Sequence, residues 1–274
     1  MDEQQVPNRD VSLAASSVTV ALRAAAETLG CPVEHLDEPR VTTVTRPEPD
    51  DRSIRTFVRG DTSVVSLPSA DDWELDVEPQ EIDALIGFTR REVPAGSIIE
   101  MSGARLLVGD DPASMAVVDE LTLVQPRRVP AALVVDPKPA VLDMLRNVVL
   151  PHEWAAGGGN ADGVRRIGAL AGGTLVALAS VESAQGRMAR LHVIVAPEYR
   201  RRGFGRTVLF ELVRMVLRDG SLPYARLALG DFAARALART VGFVALARAL
   251  TMHVIAVRDT VYEDVAPGHV IAVR

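Results

Sequence analysis

Hydrophobic residues recur along this chain with two periods. In 12–29 an alanine-rich segment carries Val18, Leu22, Ala25 and Leu29 at helical spacing and ends at Gly30 and Pro32, so it predicts a helix. Residues 41–45 alternate β-branched positions and predict a strand. Two further apolar runs, 54–59 and 62–67, flank Gly60-Asp61, which is a hairpin signal. In 79–91, Ile82, Leu85, Ile86 and Phe88 form the inward stripe of a second helix. Beyond it, 106–108 and 121–124 are expected as strands, with a helix near 112–118 between them. Residues 1–10 are expected to be a disordered polar tail, and 46–52 and 68–72 to be loops.

Pro126, Pro130, Pro137 and Pro139 mark a change of organisation, and the boundary is expected near 126–130. After it, 131–135 predicts a strand and 141–149 an amphipathic helix with Leu142, Leu145, Val148 and Val149 inward. His152, Glu153 and Trp154 follow, then a glycine loop at 157–160 that is expected to be flexible. The runs 165–170 and 174–183 flank Gly172-Gly173, a second hairpin signal, and Gly186 separates them from an apolar strand at 191–196. Pro197 stops that strand, and Val208, Leu209, Leu212, Val213, Val216 and Leu217 mark a helix that ends near Gly220. A strand at 224–229, a helix at 232–240, a long strand or broken pair at 243–257 and a last strand at 270–273 complete the pattern. The expected class is α/β (α+β): an α+β accessory domain at 1–127, and at 128–274 a mixed central sheet flanked by helices.

Composition adds exclusions. Hydrophobic content of 48% against 24% charge predicts a substantial core rather than disorder. A single cysteine, Cys31, rules out an intramolecular disulfide or a cysteine-cluster metal site, and no metal is expected. No run reaches the length of a membrane span and the amino terminus lacks a signal-peptide pattern, so a cytoplasmic protein is expected. A net charge of -6 argues against nucleic acid as the partner.

Against that net charge, Arg200, Arg201, Arg202 and Arg206 crowd around Gly203, Phe204 and Gly205 where the strand passes into a helix. Glycines let a ligand approach the backbone, and a helix start offers free N–H groups and a partial positive charge. Together they suit a phosphate or pyrophosphate. The alternative is an exposed basic turn before an ordinary helix.

The whole stretch resembles motif A of the GNAT superfamily of acyl-CoA N-acyltransferases: a strand ending in V-x-P, an aromatic, then R/Q-x-x-G-x-G/A. Val195, Pro197, Tyr199, Arg200, Gly203 and Gly205 occupy those places, and the Val241-Gly242-Phe243 ending after the 232–240 helix is of the family's kind. The resemblance covers 130–257 and implies a GNAT-type mixed sheet. It also implies that Arg200, Arg201, Arg202, Gly203, Phe204, Gly205 and Arg206 bind the pyrophosphate of acetyl-CoA or another acyl-CoA, and that Val193, Ile194 and Val195 pair with pantetheine. It further places His152, Glu153 and Trp154 against a small-molecule or peptide amine acceptor, and implies direct attack of a primary amine in a ternary complex. Pairing of the long final strand across a homodimer is expected by the same analogy.

The base is open between His192 and Glu182, each equally readable as a packed or solvated residue. Strand alternation puts His192 on the side of Ile194 and Ala196, whereas related proteins place the base at positions matching the apolar Ala189 or Leu191. Two departures stand out: the family's tyrosine before the terminal G-F is Ala238 here, and its asparagine after the fifth strand is replaced by Gly230-Asp231. They keep open a non-catalytic CoA-binding regulatory protein and, more remotely, a phosphate-binding domain unrelated to CoA.

Overall fold

The computed structural model describes residues 12–46, 52–69, 77–91, 93–101, 104–109, 113–127, 129–160, 165–183, 187–257 and 270–272. The expected tail at 1–10, residues 47–51 and 70–72 of the two expected loops, Pro112, Gly186 and Val273 lie outside them.

In the first half, α1 (Ala15–Leu29) ends where Gly30 turns left-handed and its N–H reaches the carbonyls of Ala26 and Glu27. Next come β1 (Val41–Arg46) and the expected hairpin of β2 (Ser53–Arg59) and β3 (Thr62–Pro68). α2 (Pro79–Arg90) buries Ile82, Leu85 and Ile86 and leaves Phe88 partly exposed. Then follow β4 (Ile98–Glu100), β5 (Ala104–Val108) and β6 (Ala113–Val117). The second half runs β7 (Ala132–Val135), α3 (Pro139–Arg146), α4 (Pro151–Ala156), β8 (Arg166–Ala171), β9 (Thr174–Ser183), β10 (Met188–Val195), α5 (Phe204–Arg218), β11 (Leu222–Ala228), α6 (Phe232–Val241), β12 (Val244–Val257) and β13 (Val270–Ala272).

All of these strands join one mixed sheet, in the order β1-β3-β2-β12-β6-β11-β10-β9-β8-β7, with β5, β4 and β13 branching from β12. α5 and α6 pack on one face, against Ala189, Leu191, Val193 and Val195 of β10. The other face of β10 meets α3 and α4 through Leu145, Trp154 and Ile194, and α1 through Ala21 and Met188. α5 alone buries Phe204, Val208, Leu209, Phe210, Leu212, Val213 and Val216. Each such side chain contributes about 1.5–3 kcal/mol of apolar burial, so packing fixes this helix more than intrinsic propensity does. No helix among the described residues is long and apolar enough to cross a membrane.

Several expectations are corrected. The helix expected near 112–118 is the strand β6, paired antiparallel with both β11 and β12. β11 and β12 therefore run parallel with a one-strand gap, and β6 fills it. The strand expected at 121–124 is a turn: the Asp119 carboxylate accepts from the N–H groups of Leu121 and Thr122, each at 3.0 Å, and Val124 donates to Val241. Arg46, expected in a loop, ends β1 with its side chain buried, donating to Ser66 and Ser53. β12 has β2 along one edge, from Arg248 to His253, and β6 and then β5 along the other.

Candidate active site

The register of β9 against β10 sets Arg190 opposite Glu182, His192 opposite Ser180 and Ile194 opposite Leu178. Directly opposed residues share a face, so Glu182, Ser180, Arg190 and His192 all project towards the α3–α4 side. Parallel pairing between β10 and β11 covers only Met188 to Arg190, with partners Leu222 to Tyr224, whereas β10 stays paired to β9 through Val195. Beyond Arg190 the two strands part, and β10 turns unpaired backbone towards the gap.

Between the end of α4 and the β9–β10 pair lies a cavity of about 280 Å³ lined by Ala155, Ala156, Gly158, Ser180, Val181, Glu182, Arg190 and His192. The two residues proposed separately as base meet here. His192 Nε2 lies 2.9 Å from Glu182 Oε2, and His192 Nδ1 lies 3.0 Å from the carbonyl oxygen of Ala156. A carbonyl can only accept, which places a proton on Nδ1 and turns Nε2 towards the Glu182 carboxylate. Arg190 Nη1 stands 3.5 Å from the same Glu182 oxygen. Tyr224, in register with Arg190, borders this group. Burial holds its phenol above the usual range, with Arg190 acting against that shift and Glu182 with it.

The glycine turn after α4 forms the cavity's other wall, and close approach is what it needs glycine for. A Cβ on Gly157 would overlap Ile194 Cγ1, and one on Gly158, at φ +74°, would come within 2.6 Å of Ser180 Oγ and 3.3 Å of His192 Cβ. Ser180 Oγ donates to the carbonyl of Gly157 at 3.2 Å. Instead of the loose loop expected at 157–160, a turn packed against β9 and β10 carries the Ala156 carbonyl to His192.

The residues expected to meet the acceptor, His152, Glu153 and Trp154, stand on α4. Trp154 is in the core at 5% exposure, and His152 is exposed on the helix surface. Glu153 closes the first turn of α4 by accepting from Leu150 N–H, and it also binds Arg200 Nη2 at 2.7 Å; that hydrogen bond holds its carboxyl below the usual range. Arg200 further donates to the Val195 carbonyl at 3.2 Å, so it locks the end of β10 to α4. Arg202 lies over the rings of Tyr199 and Phe204, at 5.0 and 5.8 Å. Gly203, at φ +89°, begins α5 with no side-chain cap. Arg206, in the first turn, has a buried Nε with no hydrogen-bond partner. These uncapped N–H groups and the unsatisfied Arg206 nitrogen fit an anion. Val193 and Val195 lean towards α5, and Ile194 is buried under Gly157.

Sequence reasoning missed Arg190, Ser180 and Gly158. Period-2 alternation from His192 would have reached Arg190, but Ser180 and Gly158 depend on a register and a turn that no local pattern encodes.

Residues 141–243 match the sequence profile of the acetyltransferase (GNAT) family. No curated protein matches the chain. Among solved structures, it is similar to a GCN5-related N-acetyltransferase from Kribbella flavida (14% identity, 55% of this chain and 60% of that one, TM-score 0.43). It is also similar to an acetyltransferase of the GNAT family from Colwellia psychrerythraea (16% identity, 56% and 58%, TM-score 0.42). A ribosomal-protein alanine N-acetyltransferase from Escherichia coli aligns over 49% of this chain and 99% of its own (16% identity, TM-score 0.35). The chain thus spans about three fifths of the length of the first two. Residues 141–243 carry a GNAT-family acetyltransferase domain.

Proposed function

We propose that this chain is an acyl-CoA-dependent N-acyltransferase that moves an acetyl group from acetyl-CoA to a primary amine by direct attack. The observation that carries this reading is the hydrogen-bonded pair Glu182–His192 inside a cavity on β9 and β10, the latter a strand that parts from β11 and runs on into the basic glycine loop. In this reading Gly203, Phe204, Gly205 and Arg206 at the start of α5, with Arg201 and Arg202, hold the pyrophosphate, and backbone atoms of Val193 to Val195 pair with pantetheine. Arg200 braces the loop from below.

The acceptor arrives as an ammonium and donates to Glu182, and the Glu182–His192 pair takes one proton from it. The freed nitrogen lone pair attacks the thioester carbonyl; the C–N bond forms, the C–S bond breaks and the sulfur leaves as thiolate, while the nitrogen sheds its remaining excess proton, which makes the thiolate the thiol directly or through water. Unpaired N–H groups of β10 face the oxygen that gains charge. Ala238, buried at 4% among α5 and α6 core residues, gives that thiolate no acid, so its proton comes from another group or from water.

The test couples binding to turnover. Calorimetric titration with acetyl-CoA, CoA and ADP should show binding that weakens when Arg206→Gln removes the buried donor. Release of CoA thiol with a panel of amines should fall on the order of 100-fold in kcat/KM for Glu182→Gln and for His192→Gln. Full kcat/KM in both variants would remove the pair from the chemistry, and a native protein indifferent to acetyl-CoA would end the transferase reading.

A further inference from the structure

The cavity presents an anion and a cation side by side. Glu182 supplies the carboxylate, on the same oxygen that His192 Nε2 meets. Arg190, the neighbour across the strand pair, lines the cavity and supplies a guanidinium that reaches this oxygen only at 3.5 Å, with 36% of its side chain exposed. A guanidinium carries five N–H donors in a planar fork suited to a carboxylate, and one long contact leaves most of that capacity free. Balancing Glu182 alone would not need the fork to stand open in the cavity wall.

We propose that the acceptor is a small zwitterion, a free α-amino acid, whose ammonium binds the Glu182 carboxylate and whose carboxylate binds Arg190. This rests on the transferase reading above and narrows it. Three features carry the narrowing. The two charged groups touch, so the ligand's ammonium and carboxylate must also be close neighbours, as on one α-carbon; an ω-amine at the end of a long chain separates them too far. About 280 Å³ is at the small end for ligand cavities and suits a molecule of amino-acid size. Finally, a peptide amino terminus or a simple amine brings no carboxylate, and would leave the Arg190 donors beside the bound ammonium with only the long contact to Glu182.

The experiment compares L-α-amino acids with their α-amides and with the corresponding decarboxylated amines. Acetylation with acetyl-CoA is followed by thiol release, and binding of the same compounds by calorimetry in the presence of CoA. The native protein should prefer acid over amide by about tenfold or more in kcat/KM, mainly through KM. In Arg190→Gln this acid-to-amide ratio should collapse towards one, and Arg190→Lys should restore part of it. A native protein that uses acids and amides equally overturns the proposal. So does an Arg190→Gln variant in which acids and amides weaken together, since Arg190 would then only balance Glu182. If no compound is acetylated, the transferase reading fails, and calorimetry still decides the zwitterion site: acids binding ahead of amides uphold it, and equal or absent binding sinks it.

Discussion

At the scale of single residues, Asp119 shows how one side chain can stand in for several missing ones. α1 starts at Ala14, which has no side chain to cap the helix. The cap comes instead from Asp119, whose Oδ2 accepts from Ala14 N–H at 2.8 Å while Oδ1 organises the turn after β6. Burial acts to raise this carboxyl. The N–H groups of Ala14, Thr122 and Leu121 and the side chain of Ser17 outweigh it, so the group sits below the usual aspartate range. Asp119→Asn should therefore cost about 1–3 kcal/mol at neutral pH. Because the folded pKa is depressed, this contribution is complete above the unfolded value of about 3.9 and is lost as pH falls through the folded one. Urea midpoints of native and variant should differ by a constant amount near neutrality and converge on acidification. A gap that persists at the lowest pH would assign the effect to shape rather than charge. None of this was legible in the sequence, because Asp119 and Ala14 meet only through the fold. Glu182 and His192 were each legible as titratable residues on adjacent strands; their contact was not, since it depends on the β9–β10 register. Arg46 looked like the start of a polar loop for the same kind of reason: the Ser53 and Ser66 groups that make its burial tolerable come from other strands.

At the scale of elements, local pattern served best where a stripe or a turn signal was strong. α1, α2, α5, α6 and both hairpins lie where spacing and glycine placement put them, whereas β10 starts at Met188, three residues before the strand expected at 191–196. Local pattern failed at 113–117. Ala-Ser-Met-Ala-Val has the small residues of a helix and little strand propensity, but Ala113, Ser114 and Ala116 are buried in a slot between two strands, where tertiary pairing overrides preference. It failed again at 157–159, where three glycines suggested looseness and close packing is what they permit. Gly157→Ala should thus cost about 1–3 kcal/mol, because its Cβ must push Ile194 or lift the end of α4. Gly87→Ala on α2, where a Cβ would meet nothing within 4 Å, should be neutral or stabilise by up to about 1 kcal/mol. Thermal melts of the two variants measure the contrast, and equal shifts would show that the turn is as loose as the sequence suggested.

At the scale of the molecule, one sheet runs through both sides of the boundary expected near 126–130. β11 has β6 along one edge, and β12 is flanked by β2, β6 and β5, all from the first half. A fragment of 128–274 would expose these edges with their apolar faces. It is expected to be insoluble or to melt without a cooperative transition, while the full chain unfolds as a unit. Expression of the fragment, with acetyl-CoA titration of whatever remains soluble, checks this; a monomeric fragment that binds acetyl-CoA as the full chain does would make the first half dispensable to the site.

The slot filled by β6 also bears on the order in which the protein can be made. β6 leaves the ribosome long before β11 and β12, on the order of ten seconds earlier at ordinary rates of synthesis. Through that interval it has neither neighbour, and the helix-like composition of its sequence lets it wait as something other than a sticky strand. The last step of folding is then a threading of early chain between two late strands, a contact of long sequence separation and slow closure. A nascent chain stalled before β12 should already hold the β9–β10 pair that lines the cavity, while β6 has β11 on one edge only and the first half of the sheet is still undocked.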